Sequence, residues 1–182
     1  HLHRASYDNF HEQAMASKSL VIHSCGYDSV PSDLAGFLAV NKLNDAFGVG
    51  CQELKTFGGE SKGGFSGGTL ATILGALTGR TKDYPGMKEA SAKGVYALDP
   101  VGATGGPDTS DYGGVGYDDR VGTWHMPTIL AGANGPVVRK SAALLKYSKS
   151  GKGMRYSEVA ACKSRWAGWI GTVGLAVGGA CL

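Results

Sequence analysis

The feature that most constrains this chain is a turn. His23-Ser24-Cys25-Gly26-Tyr27-Asp28-Ser29-Val30-Pro31-Ser32-Asp33-Leu34 joins the apolar run Leu20-Val21-Ile22 to a helix-like segment. Glycine, aspartate, serine and proline stand there at offsets that suit a sharp change of direction followed by a helix start. Strand-to-helix turns of this kind lie at the carboxyl edge of open α/β sheets, where such folds bind their ligands. Gly26, Tyr27, Asp28, Ser29, Pro31 and Asp33 are therefore candidates for the edge of a cofactor or substrate site. A plainer reading has Asp28 or Ser29 bonding the backbone while Pro31 opens the helix, and spacing alone favours it.

The rest of the chain builds a layered fold around this turn. Tyr7 to Lys18 reads as a helix, with Phe10 and Ala14 on one face and Met15 beside it. Ser19 to Cys25 fits a short buried strand. Leu34, Phe37, Leu38 and Val40 to Leu43 have helical spacing, and Asp33 places negative charge at that helix's positive end. This helix–strand–helix unit resembles the late part of a doubly wound sheet and sets the class as α/β. Val49 to Phe57 reads as a strand with Glu53 and Lys55 facing solvent. Leu70 to Leu77 reads as a short helix stopped at Gly79, Lys82 to Lys93 as another helix, and Tyr96 to Val121 as a long ordered loop. Pro127 to Ala133 and Val137 to Tyr147 read as two helical pieces broken at Gly135-Pro136. Ser148 to Gly153 is a polar turn, and Arg155 to Cys162 fits either a helix or a strand.

Several functional classes lose support. The net charge of +3 is small and spread along the chain, so no basic patch points to nucleic acid. Cys25, Cys51, Cys162 and Cys181 form no CxxC pair and read as free thiols of a reducing compartment. The five histidines lack HExxH spacing, and no metal site is expected. Asp108, Asp111, Asp118 and Asp119 lack a calcium-loop pattern and read as turn formers. Gly63-Gly64-Phe65-Ser66-Gly67-Gly68-Thr69 opens a helix and is a second candidate site, since free N–H groups at a helix start favour anions. It matches neither the Walker A loop nor GxGxxG, and a close-packed turn explains it equally well.

Trp166 to Leu182 carries no charge. As a helix rising ~1.5 Å per residue it covers about 25 Å, short of a hydrocarbon core of ~30 Å. Its tryptophans follow Lys163 and Arg165, as in segments that meet a membrane interface, and Gly174 and Gly178 have close-packing spacing. Membrane contact and a glycine-rich buried helix are both open readings.

Cys25 to Leu34 resembles the CGFDSIPSDLG signature of saccharopine dehydrogenase-like oxidoreductases, nearest to the trans-acting enoyl reductase branch. His11-Glu12-Gln13-Ala14, Gly63 to Thr69 and Met126 to Leu145 resemble further stretches of that family in the same order. The resemblance implies the end of a Rossmann-type dinucleotide-binding domain over 1–47 and a mixed α+β substrate or dimerisation domain over 48–165. The apolar segment 166–182 follows. It implies hydride reduction of an enoyl or imine-like double bond on a lipid-linked or other hydrophobic substrate, with NAD or NADP as cofactor. The dinucleotide fingerprint is missing from these residues, so this chain by itself is expected to hold no dinucleotide well. The resemblance leaves the catalytic group unassigned, with Tyr27 the nearest local proton donor, and it carries Ser66, Gly67, Gly68 and Thr69 as a weaker site motif. The alternative is a non-catalytic accessory subunit of a larger membrane-associated complex. Either way the expected setting is intracellular, organelle- or membrane-associated.

Overall fold

A computed structural model describes residues 1–59, 84–100, 102–103, 105–151 and 153–181, together with 67, 71, 74, 75 and 78; for 176–181 it describes the backbone alone. The elements are α1 (Leu2–Ala16), α2 (Val30–Phe47), β1 (Glu53–Gly58), α3 (Met87–Ala92) and a short 3-10 helix (Gly94–Tyr96). They continue with β2 (Gly116–Asp118), β3 (Thr123–Pro127), α4 (Ala131–Leu144), β4 (Arg155–Cys162) and α5 (Arg165–Cys181). The class is α/β, as the sequence indicates. The sheet order is β1-β4-β3-β2, with β1 and β4 parallel and the other pairs antiparallel.

Register places Leu54, Tyr156, Glu158, Ala160 and Met126 on one face of this sheet. The helices cover that face. A Cβ at Gly36 of α2 would stand 2.9 Å from Leu54 Cδ2, Asn134 of α4 bonds Glu158, and Gly171 of α5 lies against Met126. Gly36 therefore sets how closely α2 approaches the sheet. The core between them holds Val40, Cys51, Val138, Ala142, Tyr147, Met154 and Tyr156, with Leu43 and Leu54 packed against it.

Several sequence expectations need correcting. Ser19 to Cys25 is not a strand: it carries no regular secondary structure and pairs with none of the described strands, and Leu20 is 83% exposed. Strand propensity alone does not make a strand, because the ladder needs a neighbour, and none lies beside this segment among the described residues. α1 begins at Leu2, and Phe10 and Met15 stay exposed while Ala5 is buried beside Gly86. Gly135-Pro136 does not break α4. Burial of Ala131, Asn134, Gly135, Pro136, Val138, Arg139 and Ala142 offsets the ~3 kcal/mol that an interior proline costs. Pro127 belongs to β3, and β2 lies inside the expected loop. Lys55 does not face solvent but pairs with Asp118 at 2.9 Å.

The remaining expectations fall out more simply. Arg155–Cys162 resolves as strand β4, and the expected helix over Lys82 to Lys93 is shorter, Met87–Ala92. Most of the expected Leu70–Leu77 helix lies outside the described residues, although 67, 71, 74 and 75 are helical. Among the described residues no helix is long and apolar enough to cross a membrane.

Asp108 and Asp111 are not mere turn formers either. The Arg139 side chain, 1% exposed, pairs with Asp108 Oδ2 at 2.8 Å and with Asp111 Oδ1, and donates to Tyr156 O at 3.1 Å. Asp108 also accepts the Tyr156 N–H at 2.9 Å, and Tyr96 OH accepts the Asp108 N–H at 2.9 Å. One guanidinium thus ties the aperiodic loop to α4 and β4. Arg139→Ala should destabilise the chain by about 3–5 kcal/mol in urea unfolding, because it takes the buried guanidinium from Asp108 and the part-buried Asp111 and leaves only Arg155, 4.0 Å from Asp108, nearby. A loss below about 1 kcal/mol would mean the loop is held by other contacts.

Candidate functional site

The expected site turn divides into an exposed part and a buried part. Gly26, Tyr27, Asp28 and Pro31 are exposed, Tyr27 at 86%. Ser29 and Ser32 are buried and Asp33 is half-buried. Ser29 Oγ donates to Asn134 Oδ1 at 2.9 Å. Asn134 Nδ2 in turn donates to Glu158 Oε1 at 3.0 Å and to Ser32 Oγ at 3.4 Å. Tyr156 OH donates to Glu158 Oε2 at 2.9 Å, and Ser141 Oγ to Asp33 Oδ2 at 3.0 Å. These bonds clamp the start of α2 onto α4 and β4. Burial pushes the Tyr156 hydroxyl well above its ordinary range. It also pushes Tyr147 up to about 12, with Asp33 and Cys51 adding to the effect.

The turn spends part of its N–H capacity on itself. The Val30 N–H goes to Gly26 O at 3.1 Å, the Asp33 N–H goes to Ser29 O at 3.0 Å, and Pro31 has none. Residues 20–25, which would lead the turn out of a parallel sheet, pair with no strand among those described. The described residues alone therefore do not build the strand-edge site at which such folds hold a dinucleotide. Gly67 is helical and exposed, while Ser66, Gly68 and Thr69 lie outside the described residues.

A cavity of about 570 Å³ opens just upstream of the turn, between α1, residues 21–24, the 98–100 loop and α4. Val21, Ile22, Leu98, Pro100, Val137 and Leu144 give it an apolar wall. Polar groups converge at one end. The His3 and His23 rings stack with centroids 4.9 Å apart, and Ser24 Oγ lies 3.3 Å from His3 Nδ1. Ser24 holds a left-handed backbone, φ 59°, a strained conformation for a non-glycine residue that clusters at binding sites. Burial first, then the charges of His23, the N-terminal amine and Lys140, hold His3 below the usual imidazole range. Asp99 also lines the cavity. Burial raises its carboxyl to about 6 against the opposing pull of Arg139, and its Oδ1 is buried without a partner.

A second cluster occupies the opposite sheet face. Lys55 Nζ lies 2.9 Å from Asp118 Oδ2 and 3.0 Å from His125 Nε2, while His125 Nδ1 lies 3.1 Å from Gly114 O. A carbonyl can only accept, so Nδ1 carries the proton and Nε2 accepts from the ammonium. Burial and then Lys55 lower the His125 pKa. Both ring nitrogens are thereby engaged, and the cluster reads as a cross-strand brace. No group of three His, Cys, Asp or Glu side chains suited to a metal ion exists among the described residues.

Sequence reasoning singled out the turn but missed the cavity. His23 stood in the turn and His3 twenty residues before it, and only the return of α1 along residues 21–24 brings their rings together. Lys140 reaches the same cavity from α4, far along the chain.

Comparison with known proteins gives this geometry a family context. The chain is 34% identical over 161 residues to a Mycobacterium tuberculosis protein whose name places it provisionally among the trans-acting enoyl reductases. That alignment covers 85% of this chain and 38% of the relative. A trans-acting enoyl reductase of Mycobacterium leprae is 29% identical over 169 residues, covering 90% of this chain and 40% of the relative. One of Mycobacterium bovis is 29% identical over 162 residues, covering 85% and 38%. The chain thus spans 38–40% of the length of these relatives, and the similarity supports the enoyl reductase family. No family model and no solved structure matches the chain.

Asp99 generates a pH prediction. Its folded-state pKa is raised, so the folded chain holds this proton more tightly than the unfolded chain does. Its contribution to stability therefore falls as pH rises from about 4 to about 6. Asp99→Asn removes that fall. The variant should melt above the wild type at neutral pH and match it near pH 3.5, about the unfolded carboxyl range or below. Equal melting temperatures at both pH values would show that Asp99 is solvated.

Proposed function

We propose that the chain is part of an enoyl reductase-type oxidoreductase. On this reading the protein reduces a carbon–carbon double bond conjugated to a carbonyl, in a hydrophobic, lipid-linked acyl substrate. The reductant is a nicotinamide cofactor, NAD or NADP. The observation that carries the reading is the 34% identity to a trans-acting enoyl reductase relative across 85% of the chain. The turn's likeness to the saccharopine dehydrogenase-like signature belongs to the same reading.

The cavity supports it chemically. An acyl chain suits the wall of Val21, Ile22, Leu98, Val137 and Leu144, and a carbonyl oxygen suits hydrogen-bond donors at the polar end, where Lys140 and His3 stand. The described residues alone do not build a strand-edge site for the dinucleotide, so this reading assigns its binding to other residues. The unpaired, β-branched segment 20–25 is suited to joining further strands for that purpose. The second reading is a non-catalytic accessory subunit of a larger complex. Exposure of Leu20, Val21 and Ile22 favours it, since such a patch also suits a partner protein.

An assay of the native protein separates the two. Oxidation of NADPH or NADH that depends on a long-chain trans-2-enoyl thioester supports the reductase. Lys140→Ala should then raise KM by about tenfold with kcat little changed, as loss of one charge-assisted hydrogen bond to bound substrate would. Absence of oxidation with either cofactor across several chain lengths would favour the accessory subunit.

A further inference from the structure

The helix α5 is turned inside out relative to an ordinary amphipathic helix. Its inward side is built of small residues. Gly168 is buried, and a Cβ there would stand 2.9 Å from Val115 Cγ1 and 3.3 Å from Cys162 Sγ; Gly171 lies against Met126. Its outward side carries Trp166, Trp169, Ile170 and Val173, spaced i, i+3, i+4 and i+7 on one helical face. All four are exposed, Trp166 at 76% and Ile170 at 72%. Tyr117 on β2, also exposed, packs its ring on Trp124. A contiguous apolar stripe of this kind marks a surface that something else covers.

We propose that this face of α5 docks on an anionic lipid surface, with the helix lying in the interface plane. The charge pattern chooses the occupant. Residues 159–182 contain two cations, Lys163 and Arg165, and no aspartate or glutamate. Both cations are exposed and stand at the same end as the two tryptophans. Indole rings favour the headgroup level and cations favour anionic headgroups there. Two cations without an acid on the helix suit a negatively charged surface, and two indoles beside them suit its headgroup level. None of the described helices is long and apolar enough to cross a bilayer, and Gly168 and Gly171 of α5 lie against the sheet, a geometry that suits lateral docking. The proposal is independent of the reduction chemistry.

The test is flotation of the full chain with two kinds of vesicle: phosphatidylcholine alone, and phosphatidylcholine with about one third phosphatidylglycerol. The expected result is binding to the anionic vesicles with a blue shift of tryptophan emission, weakened by salt. A Trp166→Ser, Ile170→Ser double variant should lower the partition by about tenfold or more, as expected when two apolar anchors of an interfacial helix are lost. Both side chains are exposed, so the fold should survive, and an unchanged circular dichroism spectrum confirms it. Failure to float with either vesicle overturns the proposal, as does equal binding to both. A dimer in solution that the same double variant dissociates also overturns it, by assigning the face to a second copy. So does native protein whose α5 tryptophans are shielded from a soluble quencher without vesicles, since the rest of that protein would then cover the stripe.

Discussion

Asn134, fully buried in α4, is the hinge on which the architecture turns. Its carbonyl accepts from Ser29 at the start of α2, and its amide donates to Glu158 on β4. Glu158 completes its second oxygen with Tyr156 OH. A buried carboxylate is tolerable only when its lone pairs are met, so this network fixes one relative placement of α2, α4 and the sheet. Arg139, five residues along the same helix, does the same for the loop carrying Asp108 and Asp111. Two polar side chains on one helix therefore tie α4, which forms one wall of the candidate cavity, to α2, to β4 and to the loop carrying Asp108 and Asp111.

The sequence showed elements whose signal is local. Helix α2 was legible from Pro31, Asp33 and the apolar spacing that follows. The strand character of β1 was legible too, but not its first residue. What escaped depends on partners. Ser19 to Cys25 has every local mark of a strand, yet a strand is a relation between chains of backbone, and none of the described strands lies beside it. Pro136 has every mark of a breaker, yet burial around it outweighs a missing hydrogen bond. Asp108 and Asp111 looked like turn residues because nothing in their neighbourhood announces an arginine some thirty residues on.

The candidate site divides along the same line. The turn residues were visible as a motif, and the plain reading of the spacing accounts for Ser29, Ser32 and Asp33, which hold the helix in place. Gly26, Tyr27 and Asp28 remain on the surface. The convergence of His3, His23 and Lys140 was not visible, because it is made by the packing of α1 against residues 21–24 and α4.

The most direct test of this account is a histidine-resolved NMR titration of the full chain with a long-chain trans-2-enoyl thioester. The account predicts that the His3 and His23 ring signals move together while His125, braced on the opposite sheet face, stays still. Movement of His125 alone, or of no histidine up to the solubility limit of the thioester, would contradict the placement of the substrate in the cavity beside the turn.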